Sequence, residues 1–287
     1  MLQRFDDAIA LEEIGEGRYR GRFDRAWWVV VGPNGGITAA MLLRAAMDEV
    51  GEDRTPRSLT VHYVRPPGEG TVEVVVDVQS HGRSVTFVSC RMLQSERLVA
   101  TALVALATGR DAVQEWEHRT MPNTPGLDAS YVMEPAGVDV PIRDRWDEGW
   151  TIGVPGRTDT ALSGGHEVGG WLRLMEPEPY SAPLLAAMAD AWVPAVMVHT
   201  GAAVHTPTLE LTVHFRRDVT RLGIDPSAYC LAHFRQHSAH EGFLDESGEI
   251  WAPDGKLLVI CRQMGVVLPR PPGQPAPGRT FRPRRGA

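Results

Sequence analysis

The sequence predicts an α+β fold: two antiparallel sheets, each wrapped around a central helix, set in tandem along one chain. Three observations carry this. The word LTVHY at 59–63 recurs as LTVHF at 211–215. Each word follows a mostly apolar helix-forming stretch and precedes three strand-like segments, so the order repeats along with the letters. Within each copy the strands are separated by short turns, which favours antiparallel pairing, and the apolar helix needs a sheet to cover it.

Taken in order, residues 18–31 (RYRGRFDRAWWVVV) are rich in aromatic and β-branched side chains and read as extended chain. GPNGG at 32–36 is a turn. ITAAMLLRAAMDEV, 37–50, is a helix whose only charge between Thr38 and Met47 is Arg44. Residues 58–64 alternate Leu59, Val61 and Tyr63 against Ser58, Thr60 and His62, as a half-buried strand does. Segments 70–80 and 85–93 are further strands. Segment 98–107 fits helix or strand by composition, and its place after a turn at 94–97 makes it a strand. Residues 108–165 are rich in proline, glycine and charge, and read as a linker with one short strand at 144–152. The second copy follows, with a strand at 166–175, a helix at 183–193 and strands at 208–215, 227–237, 243–250 and 256–268. The tail, 269–287, has six prolines, five arginines and no acid, and should be extended or disordered. The expected division is 1–107, a linker at 108–165, 166–268, and the tail.

Twenty-nine basic residues against 36 acids leave a net charge of −7, which argues against nucleic acid as the main partner. Cys90, Cys230 and Cys261 are odd in number and far apart, so neither a disulfide framework nor a zinc knuckle is indicated. A reducing, cytoplasmic setting is the expectation. The first residues carry acids where a signal peptide needs an apolar run. No apolar stretch reaches the roughly 18 residues of a membrane helix. GxSxG and HExxH are absent, and GPNGG has neither the phosphate-loop nor the dinucleotide spacing. His233, His237 and His240 suggest a metal, but on a strand the first two stand about 13 Å apart, so none is expected.

The stretch PLLAAMADAWVP, 183–194, carries a single charge, Asp190, in an otherwise apolar helix. Leu184, Leu185, Met188 and Trp192 form one apolar side, and Ala186, Ala187 and Val193 flank Asp190 on the other. A helix apolar all round is buried, and a buried carboxylate is costly unless it is hydrogen-bonded or has a task.

These words resemble the type II acyl-CoA thioesterases, a family with a double hotdog fold, over about residues 15–107 and 165–268. GPNGGITAAML resembles the Gly-Gly turn that opens the family's first hotdog helix, with Ile37 where the family often has Gln. HYVRP, 62–66, resembles its short strand ending in Arg-Pro. The family's catalytic trio is Asp, Thr or Ser, and Gln. LAAMADAW puts the Asp at Asp190. Thr208 begins the next strand, seven residues before Phe215 and the Arg216-Arg217 pair. RQMGVV puts the Gln at Gln263. Glu210 stands where the family usually has Asp.

The resemblance implies hydrolysis of fatty acyl-CoA to fatty acid and CoA by a water that the trio holds. It implies no cofactor, acyl-CoA as the small-molecule partner, and a homodimer or higher oligomer. Partial desolvation can raise Asp190 into the range of a general base. Thr208 and Gln263 can each donate and accept. Asn34, Gly35 and Gly36 are candidate substrate-binding residues, although Asn34 serves equally as a turn residue or helix cap. An oxyanion donor could come from the start of the Pro183 helix or of the Ile37 helix. Trp27, Trp28 and Trp192 are candidate walls for the acyl chain. Structural readings stand beside these: a strand-starting Thr208, a buried Gln263 tying strands together, and His62 and His214 as structural because they repeat. A non-catalytic acyl-CoA-binding double hotdog protein is the alternative function. A hotdog hydratase would want an Asp–His pair, and none lies near Asp190 in the sequence.

Overall fold

The computed structural model describes residues 3–136, 140–155, 166–199, 204–269 and 278–284, and the expected linker and tail fall partly outside these. The chain opens with a short helix, α1 (Phe5–Ala8), and a hairpin, β1 (Glu12–Gly15) and β2 (Arg18–Phe23). Helix α2 (Gly35–Val50) follows, then β3 (Thr55–Tyr63), β4 (Gly70–His81), β5 (Val85–Gln94) and β6 (Arg97–Ala107). Ser95 and Glu96, both at positive φ, make the tight turn that settles 97–107 as a strand. The described residues of segment 108–165 supply two strands where one is predicted, β7 (Tyr131–Ala136) and β8 (Trp146–Ile152). Next come β9 (Glu167–Leu174), α3 (Ala182–Met188), α4 (Ala195–His199), β10 (Val204–His205), β11 (Thr208–Phe215), β12 (Cys230–His240), β13 (Phe243–Trp251), β14 (Leu257–Val266) and β15 (Leu268–Pro269). From the tail, β16 (Gly278–Pro283) pairs with β7, so that part is extended and ordered against the sheet.

The sequence predicts two sheets; the structure joins them. Among the described residues fourteen strands form one sheet, in the order β1-β2-β4-β5-β6-β3-β11-β14-β13-β12-β9-β8-β7-β16. The join is between β3 and β11, the strands that carry the repeated word. They run antiparallel, with Leu59 opposite Val213 and Val61 opposite Leu211. Thr60 stands opposite Thr212, its counterpart 152 residues later, and their hydroxyls are 3.0 Å apart. A pseudo-twofold axis therefore passes between these threonines. Outward from it the order repeats, β6-β5-β4-β2 on one side and β14-β13-β12-β9 on the other. An unpaired edge seeks a partner, and two edges of the same pattern satisfy each other.

Helix α2 packs against β3, β4, β5, β6 and α3. From Gly36 to Ala46 it is buried except at Arg44, which reaches solvent and pairs with Asp48 at 2.9 Å. The second helix departs from expectation. It is predicted over 183–193 but ends at Met188, so Asp190 lies in the turn beyond it rather than inside it. Two tight bonds close that turn, Asp190 N–H to the Ala187 carbonyl at 3.2 Å and Ala191 N–H to the Met188 carbonyl at 3.3 Å. Pro194 disfavours helical geometry at Val193, which stops the helix from resuming at once. One apolar cluster joins both helices to the sheet. Among the described residues no helix is long and apolar enough to cross a membrane.

Candidate active site

The loop before α2 is folded tightly. Val29 N–H bonds to the Gly32 carbonyl at 2.9 Å, Trp28 bridges to Pro33, and Asn34 N–H bonds to the Trp27 carbonyl at 3.0 Å. This delivers Asn34 to the N-cap of α2, where its Oδ1 accepts from Gly36 N–H at 2.9 Å. The same Gly36 N–H points at Asp190, whose Oδ2 it meets at 2.9 Å, while Asn34 Nδ2 donates to Oδ2 at 3.0 Å and to the Asp190 carbonyl at 2.9 Å. The start of α2 thus holds the end of α3. The contact is too close for side chains. A Cβ at Gly36 would lie 2.6 Å from the Ala187 carbonyl oxygen, and one at Gly35 would lie 2.8 Å from Asp190 Oδ2. Tyr63 closes the arrangement by donating its hydroxyl to the Gly35 carbonyl at 2.9 Å.

Asp190 keeps some exposed surface, but its carboxylate is set among dense protein. Burial pushes it up to about 6, against the pull of the Gly36 N–H, the Asn34 amide and the Gly35 N–H, which favour the charged form. The positive end of the α2 dipole acts in the same sense as those donors. Tyr63 is driven well above its ordinary value by burial and by the nearby Asp190 and Glu210 charges, so it remains a donor.

Thr208 and Gln263 form the second part of the site. Thr208 opens β11 opposite Gly265, and Gln263 lies on the buried face of β14. Thr208 Oγ1 donates to Gln263 Oε1 at 3.2 Å. Gln263 Nε2 donates in turn to Glu246 Oε1 at 2.7 Å. Cys261 joins the two parts. It lies two residues before Gln263 on the same face, its thiol meets the Ala189 carbonyl at 3.9 Å, and the charges of both Glu246 and Asp190 act on it. Asp190 therefore sits over the same end of β14 as Gln263. Among the described residues no direct hydrogen bond joins Asp190 to Thr208 or Gln263.

Of the predicted site residues, Asp190, Asn34, Gly35 and Gly36 meet at one junction, and Thr208 and Gln263 meet at the other. The N–H groups at the start of α2 face Asp190. The start of α3 is capped by Ser181, whose Oγ accepts from Leu184 N–H, and lies a helix length away. Trp27 packs edge-on against Phe5 and Trp146 in the core, and Trp192 lies 4.8 Å from Trp150. Trp28 lies under the Arg25 guanidinium. His233 meets Glu167 and His237 meets Ser247, each at 2.8 Å. A cavity of about 500 Å³ lies elsewhere, beside Asp7, Glu12, Arg20 and Asp24.

Two residues escape sequence reading. Tyr63 is the one letter that differs between LTVHY and LTVHF, and the difference is a hydroxyl. Glu246 occupies an inward position of an alternating strand, between Leu244 and Gly248, where an apolar side chain is the rule.

Comparison with known proteins bears on the family and the fold. Residues 24–108 match the family model for the acyl-CoA thioesterase N-terminal domain, and residues 117–267 match that for the C-terminal domain. A hot dog fold protein of unknown function from Alicyclobacillus acidocaldarius superposes with a TM-score of 0.82 at 27% identity, over 93% of this chain and 98% of that one. Acyl-CoA thioesterase II TesB2 from Mycobacterium marinum shares the fold, with a TM-score of 0.75 at 20% identity over 94% of this chain and 100% of that one. The thioesterase-like protein TwmA of Talaromyces wortmannii is 23% identical over 201 residues, which are 66% of this chain and 56% of that protein. The chain thus spans about half the length of the curated relative it matches. With both family models matched in order over most of its length, the chain belongs to the acyl-CoA thioesterase family.

Proposed function

We propose that this chain is built of two hotdog units in tandem and hydrolyses fatty acyl-CoA to a fatty acid and CoA. A water is held by Asp190, Thr208 and Gln263. The observation that carries this is the Asp190 carboxylate, raised by burial to about 6 yet fixed by the Gly36 N–H and the Asn34 amide, next to Ala189, whose carbonyl meets Cys261 on the strand that carries Gln263. Such a group is ionised at neutral pH and basic enough to take a proton.

Asp190 removes a proton from the water as its oxygen attacks the thioester carbonyl carbon. Thr208 donates to Gln263 and so turns a lone pair toward the water, which orients the attack. The tetrahedral intermediate collapses by breaking the C–S bond. The electron pair leaves on the CoA sulfur, and the proton held by Asp190 passes to it. An ordinary thiol has a pKa of about 8.5, so that transfer runs downhill from a carboxylic acid near 6. Asn34, Gly35 and Gly36 serve the reaction by holding the base. The loop tip of exposed Val29, Val30 and Val31, whose next residue Gly32 lies close to Pro66 and Pro67, offers an apolar approach for the acyl chain.

The test is thiol release from a panel of acyl-CoAs of increasing chain length, repeated with Asp190→Asn. We expect release by the wild type and a loss in kcat of about tenfold or more in the variant, with folding intact. Wild-type turnover by Asp190→Asn would overturn the base assignment. Binding of acyl-CoA without any thiol release would favour a non-catalytic binding protein.

A further inference from the structure

Among the described residues two carboxylates are almost fully buried, Glu178 and Glu246. Glu178 has an evident structural task. Its two oxygens accept the N–H groups of Phe5 and Asp6 at the start of α1. Glu246 faces the Ala195 N–H at the start of α4, but its shortest contact is with a side chain of the site. It is 2% exposed, on the inner face of β13, and the register sets it directly between two amides, Gln236 on β12 and Gln263 on β14. Its Oε1 accepts from Gln263 Nε2 at 2.7 Å. Its Oε2 and the Nε2 of Gln236 are both buried and make no hydrogen bond of ordinary geometry, although Gln236 and the Ala195 N–H are near enough to favour its charge.

The two ends of a glutamine amide have nearly the same shape, so orientation is set by what each end meets. Gln263 has an acceptor on one side and a hydroxyl on the other. With Nε2 turned to Glu246, Oε1 is left for Thr208. Without Glu246 the amide can rotate by half a turn and offer N–H where the oxygen stood. That would reverse the hydrogen-bond direction at Thr208 and at the water beside it.

We propose that Glu246 is a positioning residue for hydrolysis, which fixes the Gln263 amide with its oxygen facing Thr208 and the attacking water. The inference rests on the hydrolytic reading above. Burial and the Asp190 charge push the Glu246 carboxyl up to about 7, and a proton taken up by Oε2 leaves Oε1 accepting from Gln263 as before. The amide is thus held in either protonation state.

The test is a double-mutant cycle read as kcat and KM on the acyl-CoA that the wild type hydrolyses best. Glu246→Leu removes the acceptor, and kcat should fall about tenfold or more with KM nearly unchanged. Glu246→Gln keeps an acceptor oxygen toward Gln263 and should restore kcat to within about threefold of wild type. In a Gln263→Ala background, Glu246→Leu should cost less than about twofold further, because nothing is left to position. Should the leucine variant not fold, Glu246→Met fills the same space and answers the same question. A Glu246→Leu enzyme with wild-type kcat, or the same tenfold loss with and without the Gln263 amide, overturns the proposal. If Asp190→Asn has lost activity while the Glu246 variants keep it, only the positioning role falls. If Asp190→Asn is itself fully active, the hydrolytic reading falls first.

Discussion

At the scale of single residues, Asp190 is poised between opposed effects. Desolvation raises its carboxyl from 3.8 to about 6 even though three donors pull it down. Two consequences follow with definite sign. Activity that needs the charged form should rise with pH through about 6 and then level off, measured as kcat/KM on a saturable acyl-CoA. Stability should move the other way. A carboxyl whose folded pKa exceeds its unfolded value binds its proton more tightly in the native state. Its contribution is therefore full below 3.8 and is lost as pH rises toward 6. A shift of about two units is worth roughly 3 kcal/mol at neutral pH, as an upper figure for a group that retains some exposed surface. Asp190→Asn carries no charge to desolvate, and its amide oxygen can still accept from Gly36. We expect it to melt a few degrees above the wild type at pH 8, with the gap closing toward pH 4. Equal melting temperatures at pH 8 would show that the carboxylate is better solvated than its surroundings suggest.

At the scale of elements, the junction of α2 with α3 makes a prediction against helix propensity. Alanine is preferred to glycine by about 1 kcal/mol inside a helix. At Gly36 the added methyl would meet the Ala187 carbonyl oxygen at 2.6 Å and Ala187 Cα at 3.0 Å, and both are backbone. Gly36→Ala should therefore destabilise by about 1–3 kcal/mol in urea melts, and lower kcat by moving the donor away from Asp190. A stabilised variant with normal activity would mean that the helices can part freely. Gly35, Gly36 and Asp190 are each legible in the sequence from the turn, the helix start and the isolated charge. Their contact is not, because Gly36 and Asp190 are 154 residues apart and no local pattern encodes that meeting. The overlong reading of the second helix has a similar origin. Ala189 to Trp192 are acceptable helix formers, and what turns them out of the helix is the hydrogen bonding of Asp190 to α2. Glu246 was hidden for a third reason. The letters of 243–250, FLDESGEI, do not alternate, so nothing in the sequence says that Glu246, rather than Asp245 or Glu249, faces inward.

At the scale of the whole molecule, the repeat and the site turn on the same join. The words LTVHY and LTVHF mark two copies, but alternation within a strand does not say which edge will pair, so the single sheet is visible only in three dimensions. Because β3 pairs with β11 and α2 packs on α3, the proposed site draws from both halves. Asn34, Gly36 and Tyr63 come from the first, and Asp190, Thr208, Glu246 and Gln263 from the second. The covalent link between the halves runs through residues 109–120, where Val113 and Trp116 are largely exposed. A protease site placed there should cut the chain without separating it, since the β3–β11 ladder, the α2–α3 contact and their shared apolar core remain. The nicked protein should elute as one species and keep turnover within about twofold of the intact chain, because exposed loops tolerate such cuts. Parted in denaturant and refolded alone, neither half should release thiol from acyl-CoA, since the second half then lacks the donors that hold Asp190. Mixing the refolded halves should restore release. Halves that drift apart after nicking in native buffer, or a second half active alone, would contradict a site shared across the pseudo-twofold axis.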